Sequence, residues 1–253
     1  MDLVIVTSHW KEDLEWLKKS KWPVVVIDKE GSDPSWITPQ HTIPNKGREV
    51  SVYLKYIIEN YDNLPNHVAF IHGHENSWHQ FHDRPLLDLI EHANVQEHEF
   101  ISLNNFMKWY GFINEPTEEY MQIETYWDLF QIDQKKPPKF SLLQSPIGAQ
   151  FIVSKNRILR NTKEDYQRWY KIVMEVESSK DLNISTFFEL VWHIIFGEEW
   201  ICKFPSTWFN IKTVQEAWYH DVYKEQPQMI GYVNYVGNTL GYTEAFRAVS
   251  KYF

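Results

Sequence analysis

Cysteine is almost missing from this chain: Cys202 is the only one among 253 residues. No internal disulfide can form, and the expectation is a soluble protein of a reducing, cytoplasmic compartment. Long apolar runs are missing too. No stretch reaches the roughly 20 apolar residues that a bilayer demands, and even FFELVWHIIF carries Glu189 and His193. The amino terminus, MDLVIVTSHW, lacks a basic region followed by an apolar stretch, which argues against a secretory signal. Positive charge is in deficit. A net charge of −9 and a pI near 5.7 argue against nucleic acid or an anionic membrane as the main partner, while leaving room for a local basic pocket. Zinc-finger and HExxH spacings are absent as well.

Aromatics, by contrast, are abundant, with 12 Trp and 14 Tyr; most of them are expected to fill a core, and some to stack on flat or sugar-like ligands. The chain is long enough for a substantial core. Leu3 to Thr7 and Val24 to Ile27 are apolar runs of the kind that form strands buried on both faces, and Lys11 to Lys19 has helical spacing. A polar, proline-containing loop spans Lys29 to Pro44. Val50, Tyr53, Leu54, Ile57, Ile58 and Tyr61 then recur at three-and-four spacing, an amphipathic helix that Pro65 cannot continue. Val68 to Ile71 reads as the next strand. This alternation predicts a mostly parallel sheet with right-handed crossovers, its strand tips gathered on one edge. Ligands of open α/β sheets bind beyond the carboxyl ends of the strands, so Thr7, Ser8, His9, Asp28 and His72 to Glu75 are expected to meet there.

Further along, helices are predicted from Pro85, over Glu118–Phe130, over Thr162–Val176 with Thr162 as cap, and over Ser185–Phe196, stopped at Gly197. Strands are predicted over Phe100–Leu103 and Gly148–Ser154, and KKPPK as a loop. Beyond Glu198 the expectations are a helix near Thr213–Tyr223, a glycine-punctuated stretch and a terminal helix from Thr243. The domain expectation is one α/β unit over residues 1–197, with 198–253 as an extension packed on it.

Four groups carry candidate chemistry. Seven of the 11 histidines lie between His67 and His98. His72 and His74 share one side of an extended chain, and His79 and His82 join them if that loop is helical. Such a set suits a divalent metal or a phosphate, or simply a polar loop. Lys46-Gly47-Arg48-Glu49 opens the central helix, where free amides, the dipole and a guanidinium favour a diphosphate; the plain alternative is a surface Arg–Glu pair. Glu189 and His193, four apart, share one helix face. A carboxylate among Phe188, Leu190, Val191 and Trp192 is costly unless it faces a cleft or a partner, and burial gives it the raised pKa of a general base. Thr7, Ser8, His9 and Asp28 are of a kind that touches a base or ribose, or merely caps turns. Arg157, Arg160 and Arg168 suit a solvated face better than a phosphate site.

VTSHWKEDLEWL, NKGREVSVYLKYIIENYDNLP, FIHGHENSWH, GAQFIVSKNRIL and FFELVWHIIFG together resemble the family named domain of unknown function 3431, over about Leu3 to Gly197. The layout also resembles the GT-A type of nucleotide-sugar glycosyltransferase, a Rossmann-like α/β domain. That resemblance implies a nucleotide-sugar donor, UDP-sugar first among them, and transfer to a hydroxyl of a glycan or other acceptor. It puts Ser8 and His9 at the base, Asp28 at the nucleoside, and a diphosphate-bound Mn²⁺ or Mg²⁺ at His72, His74 and Glu75. It further implies Glu189 as base and His193 as a metal ligand; in the absence of a metal, Arg48, Lys46 and the histidines carry the diphosphate charge instead. The sequence departs from that type where Asp-x-Asp is replaced by His72-Gly73-His74-Glu75, since imidazoles suit softer metals. Two other functions fit the residues: a metal-dependent hydrolase built on His72, His74, His79 and His82, and a non-catalytic carbohydrate- or nucleotide-binding module.

Overall fold

A computed structural model describes residues 2–31, 34, 36–77, 80, 84–104, 107–111, 118–133, 136, 142–146, 148–176, 183–200 and 208–210. His79, His82, Cys202 and everything expected between Thr213 and the end of the chain lie outside the described residues.

Strands β1 (Leu3–His9), β2 (Val24–Lys29) and β4 (His67–Ile71) form the centre of a six-stranded sheet. Its remaining strands are β3 (His41–Ile43), β5 (Phe100–Ser102) and β8 (Phe151–Ser154), and the order is β3-β2-β1-β4-β8-β5. The first four run parallel, whereas β8 is antiparallel to both β4 and β5. The sheet is therefore mixed, with one reversed strand in a mostly parallel set. Ile5, Val6, Val26, Ile27 and Val68 to Ile71 are all buried, because both faces of the sheet are covered and unbroken β-branched and aromatic runs satisfy both.

The cover comes from α1 (Arg48–Asn60), which packs on β1 and against α5 (Lys163–Glu175) and α6 (Ile184–Ile195). Val50, Tyr53, Leu54 and Ile57 form the buried stripe of α1, as the periodicity requires. Helix α3 (Glu118–Phe130) lies on α6, where Phe130 stacks on Phe187 at 5.3 Å between ring centroids. α5 starts in a complete capping box: Thr162 and Asp165 exchange hydrogen bonds, which satisfies amides the helix leaves open. Gly197, at φ 86°, follows the end of α6. Two shorter helices are also present, α2 (Leu86–His92) and α4 (Lys155–Ile158), the latter against β8. Among the described residues no helix is long and apolar enough to cross a membrane.

Three expectations change. The helix over Lys11–Lys19 contracts to one 3₁₀ turn, Glu15–Lys19. Lys11 sits at φ 70° and the Asp13 carboxylate takes the Glu15 amide, so the chain turns before it can coil. The long loop contains β3, which adds an edge strand. A separate antiparallel pair, β6 (Met107–Gly111) with β7 (Leu142–Pro146), appears where no strand was expected.

Candidate functional site at the carboxyl edge of the sheet

Parallel pairing sets His9 beside Asp28 and Thr7 beside Ile71, so three strand tips end together. At that edge His9 Nδ1 donates to Asp28 Oδ1 at 2.8 Å, and the two are 2% and 1% exposed. This pair is enclosed. Thr7 is fully buried and its hydroxyl donates to the Ser8 carbonyl, so its side chain belongs to the core. Ser8 is half-buried, and its carbonyl lies 2.8 Å from where a Cβ on Gly73 would stand. That contact explains the glycine between the two histidines: β1 and the turn after β4 touch there. His72 and His74 do share one side, with ring centroids 5.1 Å apart. Partial burial lowers the His74 pKa, and the Glu12 carboxylate opposes this.

Helix α1 brings its amino end to the same edge. Lys29, at the end of β2, is buried and donates to the Lys46 carbonyl at 3.0 Å and to the Arg48 carbonyl. Ser51 donates to the same two carbonyls. This clamp holds Gly47 at φ 64° and Arg48 at φ 45°, a backbone form that non-glycine residues adopt at a cost of about 1–2 kcal/mol. Burial drives the Lys29 pKa down to about 8, while Glu49, Glu12 and Glu30 pull it up.

The expected arrangement of Lys46 to Glu49 is only partly present. Lys46 turns away and donates to the Met174 carbonyl at the end of α5. Glu49 is no surface partner: it is 9% exposed, accepts from its own amide, and among the described residues its Oε1 has no hydrogen bond. Its own carboxylate thus takes the helix-dipole position expected for a phosphate. Burial raises its pKa, against Arg48 and Lys29. Arg48 is exposed and lies within electrostatic reach of both Glu49 and Glu189.

Glu189 and His193 come in from α6. Glu189 accepts from the Gly148 amide, and its pKa is pushed up to about 7, first by burial and then by Glu49, with Arg48 opposing. Gly148 and Ala149, at φ 101° and 44°, form a turn before β8. The Ala149 carbonyl accepts from the Tyr53 hydroxyl at 2.9 Å, so the strand expected from Gly148 begins only at Phe151. Tyr53, four residues after Glu49, is held well above its ordinary pKa by burial and by both glutamates. α1 and α6 therefore present Glu49 with Tyr53 and Glu189 with His193 to a shared region.

Between α6 and the tips of β5 and β8 lies a small cleft lined by Ser102, Asn104, Gln150, Glu189, Trp192 and His193, among others. Gln150 links it to the strand tips: its Oε1 accepts from the His72 amide at 3.2 Å and its Nε2 donates to Asn104 Oδ1 at 3.1 Å. His193 is 1% exposed, and its pKa is pushed down to about 3 by burial alone.

Among the described residues no group of three or more His, Cys, Asp or Glu is arranged to hold an ion; His72, His74, Glu75 and His193 are among the residues described, and His79 and His82 are not. Arg157 is taken by Glu99, Glu198 and the carbonyls ending α6, and Arg168 by Asp165; both are structural. Sequence reasoning did not single out Glu49 as a buried partner, nor Lys29, Glu12 or Gln150. Lys29 had a signal, being a lysine at the end of a buried strand beside Asp28, where a cation needs partners.

Fold and site together define an α/β protein with a carboxylate-centred cleft at the carboxyl edge of its sheet. The chain belongs to the family described as "Protein of unknown function (DUF3431)", which matches residues 4–209. No curated protein matches it.

Proposed function

We propose that the protein is a glycosyltransferase that moves a sugar from a nucleotide-diphosphate donor, UDP-sugar first among candidates, to a hydroxyl acceptor. One observation carries this: Glu189, half-buried and fixed by the Gly148 amide, lies in electrostatic reach of Arg48 on the edge where β1, β2 and β4 end together. A base and a cation at the tips of parallel strands are what such a transfer needs. Glu189, with a pKa near 7, can accept a hydroxyl proton at neutral pH. Arg48 offers its guanidinium to the departing diphosphate, where negative charge grows in the transition state. Ser8, His9 and Asp28 would border the nucleoside, with the enclosed His9–Asp28 pair setting the floor. His72 and His74 would stand at the diphosphate, and an added Mn²⁺ or Mg²⁺ would draw ligands from the substrate, since no group among the described residues is arranged to hold it.

The test is a screen of UDP-, GDP-, CDP- and dTDP-sugars for binding and for donor hydrolysis, with and without Mn²⁺ or Mg²⁺. The expected result is turnover of one donor class, reduced about 100-fold or more in Glu189→Gln. Donor affinity should fall about tenfold in Arg48→Ala. Absence of binding to all four nucleotides in folded protein would overturn the proposal.

A further inference from the structure

His193 is buried inside the α6 face of the cleft, yet neither ring nitrogen has a hydrogen-bond partner among the described residues. The Trp192 Nε1–H, in the same lining, has none either. Buried polar atoms are nearly always paired, because an unpaired one forfeits its hydration without return. Two unpaired nitrogens on one ring are therefore a strong demand. A neutral imidazole carries one donor and one acceptor. The two nitrogens point away from each other, so one oxygen pairs with only one of them, and a hydroxyl, donor and acceptor in one, suits either the N–H or the bare nitrogen.

Space and charge narrow the choice further. The cleft that His193 helps to line leaves about 10 Å³ for the centre of a water-sized sphere, room for one water molecule or one hydroxyl group. Of the described lining residues, Glu189 alone is a carboxylic acid, and Ser102, Asn104 and Gln150 are neutral. A carboxylate or phosphate would be repelled there, whereas an uncharged hydroxyl would not. On α6, Glu189 and His193 are four residues apart, so both side chains reach one oxygen from the same helix face.

We propose that the His193 pocket is the seat of the nucleophilic oxygen, binding a single uncharged hydroxyl (water or the hydroxyl of a neutral acceptor) between the imidazole and Glu189. This rests on Glu189 as the base. In the step, the acceptor oxygen forms a bond to the anomeric carbon, and the bond from that carbon to the diphosphate oxygen breaks. The electron pair leaves with the diphosphate, and the hydroxyl proton passes to the Glu189 carboxylate. His193 stays neutral throughout and orients the oxygen; it is not a metal ligand in this scheme.

Two measurements test it. In protein labelled with ¹⁵N-histidine, the His193 ring should show an Overhauser contact with long-lived water and a protonation state unchanged from pH 5 to 8; the contact should vanish in His193→Phe. In donor turnover, His193→Phe should lose at least tenfold in kcat with UDP affinity within twofold of wild type, and His193→Gln should recover most of the loss. Added methanol distinguishes the sources: methyl glycoside marks an alcohol hydroxyl, free sugar marks water, and either product lost in His193→Phe upholds the inference. A dry or titrating ring overturns it, as does unchanged turnover in folded His193→Phe. If wild-type protein consumes no nucleotide sugar, the transferase assignment fails. The water contact then decides the oxygen site alone: present, it stands; absent, it falls.

Discussion

Glu49 is not among the residues that line the cleft, yet it bears on the charge of Glu189, which is. It is buried near Glu189, and its charge is one of the two causes that raise the Glu189 pKa to about 7. The other groups facing Glu189 are Arg48, which lowers it, the Gly148 amide, which also lowers it, Tyr53 and His193. A base works when it is deprotonated, so turnover should rise with pH through that value. Glu49→Gln removes the like charge and must move the rising limb to lower pH. At pH 6 the variant should then be roughly three- to tenfold faster than wild type relative to its own plateau, since one pKa unit is a factor of ten in the active fraction. A kcat/KM profile from pH 5 to 9 checks this, and an unmoved limb would remove Glu49 from the account. The candidate base was legible in the sequence, because a glutamate among Phe188, Leu190 and Trp192 has to be explained. Its tuning by Glu49 was not. The two glutamates are 140 positions apart, and no local spacing reveals that α1 and α6 bring them together.

At the scale of elements, the helix that opens the site and the helix that supports it respond differently to change. α1 begins at Gly47, where a Cβ would stand 2.2 Å from Val173 Cγ1 and φ is +64°. Gly47→Ala must push α5 away or straighten the turn that Lys29 clamps, so it should destabilise by about 2 kcal/mol or more. It should also weaken donor binding, since Arg48 and Glu49 follow directly. Thr162→Ala removes the α5 capping box, costs about 1 kcal/mol, and should leave donor affinity unchanged because that end of α5 lies away from the cleft residues. Urea unfolding and nucleotide titration of the two variants separate fold from site. The sequence foretold these two helices unequally. Thr162 and Asp165 announce α5 from side-chain chemistry alone, and the Val50–Tyr61 stripe announces the body of α1. The amino end of α1, with two residues at positive φ, depends on a lysine from another strand and cannot be seen locally. β6 and β7 were missed for a related reason: they pair with each other outside the main sheet, and KWYG and LLQSP lack the unbroken apolar runs that marked the central strands.

For the whole molecule, two groups on α6, the half-buried Glu189 and the buried His193, give the stability a particular dependence on pH. The fold raises Glu189 from 4.5 to about 7 and lowers His193 from 6.5 to about 3, and both changes favour the neutral side chain. The benefit from neutral Glu189 is whole below pH 4.5 and is lost as pH rises through 7. The benefit from neutral His193 is whole above pH 6.5 and is lost as pH falls toward 3. Each group changes stability by about 1.4 kcal/mol per pH unit within its window. Between pH 4.5 and 6.5 the two slopes have opposite signs and cancel, so these groups should leave a plateau there. Below pH 4.5 only the histidine slope remains, and acid should destabilise the protein steeply. Glu189→Gln removes one slope: its stability should climb by about 3 kcal/mol from pH 4.5 to 6.5, and it should exceed wild type at pH 8. His193→Phe removes the other, and should blunt the acid loss between pH 4.5 and 3 by about 2 kcal/mol. Lys29, lowered to about 8 by burial, adds a gain only between pH 8 and its ordinary value of 10.5, outside this range. Urea unfolding at half-unit steps from pH 3 to 8 resolves the slopes. A wild-type curve that climbs steadily across the plateau, unchanged in Glu189→Gln, would show that Glu189 is solvated and that the carboxylate at the heart of the cleft is an ordinary surface acid.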